Sequence, residues 1–240
     1  MQDEAVGLTM LEAYIAQKHK RLAFPRELEL LYDQRMESYR RQVMALGILP
    51  TVLIYNTFLI ADFLLLPQTA VIATILHLAV VTPIIFLAAF LYPRTPNKLL
   101  REIFRSFIPF MMVAQIMYIY AQSTGIGADQ YQYLAVMTII YMNINLHFSF
   151  GLAMASTLLL VTTYLAVLLT GHSPVEVKFT GTCMMGAAAY LTLMANRRME
   201  QDLRFGFLRR LQDQLRREAA EKVSKQDAMT GLANRRMLDE

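Results

Sequence analysis

Thr69-Ala70-Val71-Ile72-Ala73-Thr74-Ile75-Leu76-His77-Leu78-Ala79-Val80-Val81-Thr82-Pro83-Ile84-Ile85-Phe86-Leu87-Ala88-Ala89-Phe90-Leu91-Tyr92 runs without Asp, Glu, Lys or Arg. A helix crossing the hydrocarbon core of a bilayer needs about 20 mostly apolar residues, and this stretch is long enough. Comparable apolar runs cover roughly 43–65, 104–122, 131–149, 152–171 and 178–196. Hydrophobic residues make up 55% of the chain and the mean hydropathy is +0.35, while charge is concentrated in Met1–Arg41, Arg94–Arg105 and Arg197–Glu240. Backbone polar groups in lipid must be satisfied within their own segment, which leaves helices as the spanning element for runs of this length. The pattern predicts an all-α polytopic membrane protein with six transmembrane helices. Asp3, Glu4 and Glu12 precede any apolar core, so the N-terminus is not a secretory signal.

Basic residues set the orientation. Seven Lys/Arg precede the first span, four (Arg94, Lys98, Arg101, Arg105) lie between the second and third, and eleven follow the sixth; the remaining one is Lys178. Positive residues favour the cytoplasmic side, so both termini are expected in the cytoplasm. The expected organisation is a cytoplasmic helical segment over 1–42, a six-helix membrane domain over 43–196, a coiled-coil signalling helix over 197–226 and a further segment over 227–240. Loops on the outer side are short, around 66–69, 123–130 and 171–177. The tight fourth-to-fifth connection near 148–152 offers Gly151 as a helix C-cap. The pI of about 9.2 is explained by this topology and does not point to nucleic acid.

Beyond the sixth span, Leu208, Leu211, Leu215, Ala219 and Val223 are spaced by three, four, four and four residues. A narrow apolar seam on a charged helix is what a parallel coiled coil requires. A run of four-residue spacings resembles a stutter, which locally unwinds the supercoil. The seam is too short to hold a dimer on its own.

The helix leads to Asp227-Ala228-Met229-Thr230-Gly231-Leu232-Ala233-Asn234-Arg235-Arg236. Asp227, Thr230, Gly231, Leu232, Asn234, Arg235 and Arg236 resemble the D-x-L/M-T-G-L-x-N-R-R stretch that opens GGDEF-type diguanylate cyclase domains. In that family the stretch joins the lead-in helix to the cyclase domain and is not the active site. The resemblance implies a homodimeric signalling protein of the bacterial inner membrane, truncated here near the start of its output domain. It also implies GTP and Mg²⁺ for that missing domain and cyclic di-GMP as its product. The sequence has neither a G-G-D/E-E-F turn nor a G-x-x-x-x-G-K-[ST] loop, so these residues alone are expected not to turn over GTP. The stretch Leu22-Ala23-Phe24-Pro25-Arg26-Glu27-Leu28-Glu29, followed by a charged helix and six spans, is similar to six-helix membrane anchors that precede GGDEF cyclases and some class III adenylate cyclases.

Polar side chains in lipid are costly and mark candidate functional positions. Here they are Asn56, His77, Gln115, Asn143, Asn145 and His147, with Asp62 expected as an interfacial carboxylate near the outer end of the first span. Paired intramembrane histidines can ligate haem iron, but His77 belongs near mid-membrane and His147 near the cytoplasmic edge, which argues against it. Asn56, Gln115 and Asn143 suit interhelical hydrogen bonds. Cys183 is the only cysteine, which excludes an intrachain disulfide and a cysteine-based metal site. No cofactor is expected within the chain. Gly181, Cys183, Gly186 and Ala187–Ala189 form a small-residue face on the sixth span, suited to close helix packing or a dimer contact. The expected function is sensing and dimerisation for the cyclase, with a hydrophobic small molecule as candidate ligand. A passive dimerising anchor and a small transporter are the alternatives.

Overall fold

The computed structural model describes Glu12, Ile15 and residues 24–224, with side chains as far as Glu221. The described residues are helical with no strand. They divide into two compact units, one of 36–199 and one built from the described residues before Met36 and after Met199.

The first helix, α1, runs from Arg26 to Leu65. A second helical stretch contains α2 (Ala70–Ile75), a π-helical turn (Leu76–Val81), α3 (Thr82–Leu91) and a 3₁₀ turn (Tyr92–Arg94). Then follow α4 (Lys98–Ala121), α5 (Ile126–Tyr131), α6 (Leu134–Asn145), α7 (Phe150–Thr170) and α8 (Val175–Ser224). The π turn has a local cause. Pro83 cannot donate to the carbonyl four residues back and its ring crowds that carbonyl; a wider turn immediately before it relieves the conflict.

Four helical stretches, Arg26–Leu65, Ala70–Arg94, Lys98–Ala121 and Phe150–Thr170, are long and apolar enough to cross a membrane. The two other expected spans, 131–149 and 178–196, are not among these four. Residues 131–149 do not form one helix: α6 has 12 residues, which at about 1.5 Å per residue covers about 18 Å, short of the hydrocarbon thickness. The run 178–196 lies inside α8 but is rich in Gly, Ala and Thr, so its apolar character is diluted. The α6–α7 connection also differs. Gly151 lies in the first turn of α7, and the left-handed residue is His147, at φ 49°. Its Nδ1–H donates to the Asn145 carbonyl oxygen at 2.8 Å, a local bond that offsets the cost of a non-glycine residue in this region.

Helix α4 is the centre of the 36–199 unit. Its apolar window is 56% buried, against 22%, 28% and 33% for the other three. One side of it, through Val113, Ile116, Met117 and Tyr120, joins Ala135, Ile139 and Met142 of α6 and Ala153, Leu160 and Tyr164 of α7. Another side, through Ile108 and Met112, joins Met44, Val52 and Tyr55 of α1 and Ile85 and Ala88 of α3. The outward faces are apolar as well: Leu46, Leu64, Val71, Leu158 and Phe179 are each about 70% exposed. Exposed apolar surface on this scale fits lipid rather than water.

The small-residue face of α8 splits. Gly181 packs inward, where an added Cβ would lie 2.7 Å from the Tyr164 hydroxyl and 2.9 Å from Gln132 Oε1. Ala189 is also buried, whereas Cys183, Gly186 and Ala187 are exposed.

Candidate functional site

Two groups of buried polar residues stand out in the 36–199 unit. The first is built around Asp62 and His77, both with 0% exposure. His77 Nε2 lies 3.3 Å from Asp62 Oδ2. The expectation that Asp62 is interfacial is therefore corrected: the segment after α4 folds over the end of α1 and closes it from solvent. Gly125, at φ 87°, starts α5. Gly127 then meets the chain so closely that a Cβ there would lie 2.0 Å from the Leu65 carbonyl oxygen, so only glycine allows this backbone approach.

Two tyrosines and a glutamine complete the group. The ring of Tyr55 stacks on His77, with centroids 4.2 Å apart and planes 19° from parallel. Tyr55 and Asp62 are seven residues apart on α1 and so share a face. The Tyr55 hydroxyl donates to Gln115 Oε1 at 3.3 Å. Tyr131, at the end of α5, presents its hydroxyl to Asp62 and Gln115 without a well-formed hydrogen bond. Both Asp62 oxygens, both His77 nitrogens, Gln115 Nε2 and the Tyr131 hydroxyl find no hydrogen bond of good geometry within the protein. Buried polar atoms in that state are uncommon and call for a reason. The group is able to hold a small polar moiety or to pass a proton among acid, imidazole and phenol.

Breaking such a pair on one side is costlier than removing both partners. Asp62→Leu is expected to lower stability by about 2 kcal/mol by removing the carboxylate beside the buried His77 ring, and the double variant Asp62→Leu/His77→Leu should recover most of that loss. Thermal unfolding of the purified variants in detergent measures both; equal losses would remove the pairing.

The second group ties α6, α7 and α8 together. Asn143 Nδ2 donates to the hydroxyls of Thr157 at 3.0 Å and Thr192 at 2.9 Å, and the Thr157 hydroxyl donates back to Asn143 Oδ1 at 3.2 Å. Asn196 Nδ2 donates to the carbonyls of Asn143 and Phe148 at 3.1 and 3.2 Å. The non-helical backbone between α6 and α7 is thus partly satisfied by α8, as a dry environment demands. Asn56 belongs to neither group: its Nδ2 donates to the Val52 carbonyl at 2.8 Å and the Thr82 hydroxyl at 3.1 Å. Asn145 is exposed, and His147 faces the ring of Tyr39 at 6.0 Å. The two histidines thus have different partners and do not converge. Among the described residues no three His, Cys, Asp or Glu side chains cluster as a metal would require.

A cavity of about 400 Å³ lies at the α4–α5 and α7–α8 turns, lined by Tyr120, Asp129, His172 and Ser173 among others. Ser173 donates to Asp129 Oδ1 and lies 2.7 Å from the Tyr120 hydroxyl.

The smaller unit has its own buried centre, which the sequence did not reveal. Arg204 donates through both terminal nitrogens to Glu29, at 2.8 Å each, and through Nε to Glu200 at 3.0 Å. Its guanidinium lies 4.6 Å from the ring centre of Tyr32 and 5.0 Å from that of Phe24. The Phe24 amide donates to Glu29 at 2.9 Å, which gives the F-P-x-x-L-E stretch a structural part. Burial pushes the Glu29 carboxyl up, but the hydrogen bonds from Arg204 and Phe24 and the Arg204 charge outweigh it, leaving its pKa below the usual value. For Arg204, burial acts downward and is overcome by Glu29 and Glu200, so its pKa is raised. Phe207 packs edge-on against Tyr32 at 5.3 Å. Leu208 and Leu211 are buried within this unit, Leu215 is half-buried and Ala219 is exposed. The first two seam positions are therefore already covered in the single protomer. The Val223 side chain and the whole of Asp227–Arg236 lie outside the described residues.

Comparison with protein-family models, curated proteins and solved structures gives no match to this chain.

Proposed function

We propose that this chain is the membrane-embedded regulatory and dimerisation domain of a diguanylate cyclase. It would sit in a bacterial inner membrane with both termini in the cytoplasm and govern synthesis of cyclic di-GMP from two GTP. The observation that supports this reading most is α8. It is one helix from Val175 to Ser224, it is held through Thr192 and Asn196 by the Asn143 group, and it leads toward Asp227–Arg236. Each cyclase domain of the GGDEF type binds one GTP, so two must face one another. A dimeric membrane part raises their effective concentration, and a change in α8 alters their mutual orientation. A ligand shifts that balance only through different affinity for the two states.

The test is a chimera of residues 1–226 with a soluble GGDEF cyclase domain. Cyclic di-GMP formation should exceed that of the free cyclase domain at equal concentration, and Asn143→Ala should change it. Equal rates for chimera and free domain would remove the regulatory and dimerising role. The topology has its own check. A reporter fused after Arg197 should be cytoplasmic and one inserted near Gly127 periplasmic; finding both on one side contradicts the arrangement.

A second reading, transport, gains one observation. Asp62 and His77 make an acid–base pair inside the apolar unit, and such pairs occur in proton pathways. Proton flux across liposomes containing the chain, abolished by Asp62→Asn, would favour it.

A further inference from the structure

We propose that a cavity between α1, α4 and α6 binds an amphiphile with an anionic head group and an acyl tail. The cavity has a volume of about 190 Å³ and grades from charge to hydrocarbon along its length. Arg40 and Arg105 line one end; Ile48, Ile54 and Ile108 line the apolar part. From Arg40 to Ile54 the helix rises about 21 Å, a long fraction of one leaflet and beyond.

The charged end is built rather than incidental. Arg105 is only 3% exposed. It pairs with Glu102, and its guanidinium lies 4.7 Å from the ring centre of Phe148, yet its Nε has no hydrogen-bond partner in the protein. Glu102 is the one carboxylate paired with it, and Glu37 is engaged by Arg41 and Arg101. Neither acid lines the cavity, whereas Arg40 and Arg105 do. Below them the Thr51 and Tyr141 hydroxyls bond to each other, which offers a polar step before the apolar part. Gly47 also lines the cavity, and a Cβ there would meet nothing within 4 Å.

The space is too small for a whole lipid. It suits a head group and the first part of a chain, with the remainder lying on the exposed apolar face of α1 at Leu46, Leu49 and Leu53. Basic pockets between membrane helices on the cytoplasmic side select anionic lipids for this reason. A long-chain carboxylate and an anionic phospholipid share this chemistry. The proposal rests on the membrane placement of the helices and not on the cyclase output, so its test uses the chain by itself.

Purified chain in phosphatidylcholine nanodiscs would be titrated with radiolabelled palmitate in one arm. In the other, chain reconstituted with radiolabelled phosphatidylglycerol would be analysed for retained lipid. Saturable binding of palmitate, or retention of phosphatidylglycerol at a fixed stoichiometry, is expected, and the arm that shows it identifies the head group. Gly47→Leu fills the cavity without removing charge and should weaken that binding at least about tenfold. Gly151→Leu, on an exposed position of α7 with open space around it, should leave it unchanged, as should thermal stability in both variants. Arg105→Gln should weaken binding too; if it fails to fold, Gly47→Leu still decides. Absence of saturable binding in both arms, equal loss in Gly47→Leu and Gly151→Leu, or equal binding of an uncharged monoacylglycerol would overturn the proposal. None of these results touches the chimera activity that tests the cyclase reading.

Discussion

Glu29→Ala is expected to free the first half of the proposed coiled-coil seam. Arg204 is held by two hydrogen bonds to Glu29 and one to Glu200, among Phe24 and Tyr32. Loss of Glu29 leaves a largely buried guanidinium with one carboxylate, at a cost of about 3 kcal/mol to the smaller unit. Leu208 and Leu211, buried in the single protomer, then become available to a second copy. In a Cys183→Ser background, a cysteine placed at Leu215 should crosslink between protomers several-fold faster when Glu29 is Ala, and the chimera should gain basal activity. Arg204→Lys should behave similarly, because an ammonium cannot reproduce the two-pronged contact. Unchanged crosslinking in both variants would mean that the N-terminal helix does not compete with the seam. Acid should have the same effect as the mutation. With the Glu29 pKa below its ordinary value, the ion pair's contribution is complete above the ordinary carboxylate range. It is lost as pH falls through the lowered value. The stability of the smaller unit should therefore be flat near neutrality and fall only in that acidic range, as thermal unfolding against pH would show.

Much of the membrane unit was legible in the apolar runs. The run 69–92 corresponds to the helical stretch Ala70–Arg94. The run 104–122 matches α4 to within one residue at its end, and α4 begins six residues earlier because the Asn97 side chain caps it by accepting the Leu99 and Leu100 amides. Asparagine before a helix is a readable start signal. Hydropathy decides less where length and composition fall between classes. The run 131–149 is mostly apolar but carries Gln132, Asn143, Asn145 and His147, and its helices break at the Gln132–Tyr133 turn and at Leu146. Of the polar positions, Tyr55 and Asp62 share a helical face that spacing alone reveals. Their meeting with His77 depends on how closely α1 and the π turn pack, and the closure by Gly127 depends on one backbone approach. No local pattern encodes either. The Glu29–Arg204 pair joins residues 175 apart, and a single sequence carries no signal for it.

Under the proposed function, α8 transmits orientation from the membrane helices to an output domain. This is tested most directly by inserting one to seven alanines between Ala219 and Ala220, both exposed, in the chimera of residues 1–226 with a GGDEF cyclase domain. Each residue turns everything beyond it by about 100°, and seven come within about 20° of the starting phase. Cyclic di-GMP formation should vary with insert length, falling most for two inserted residues and recovering near four and again at seven. A rate that is the same at every length would show that α8 is a flexible tether, and the account of regulation through it would fail.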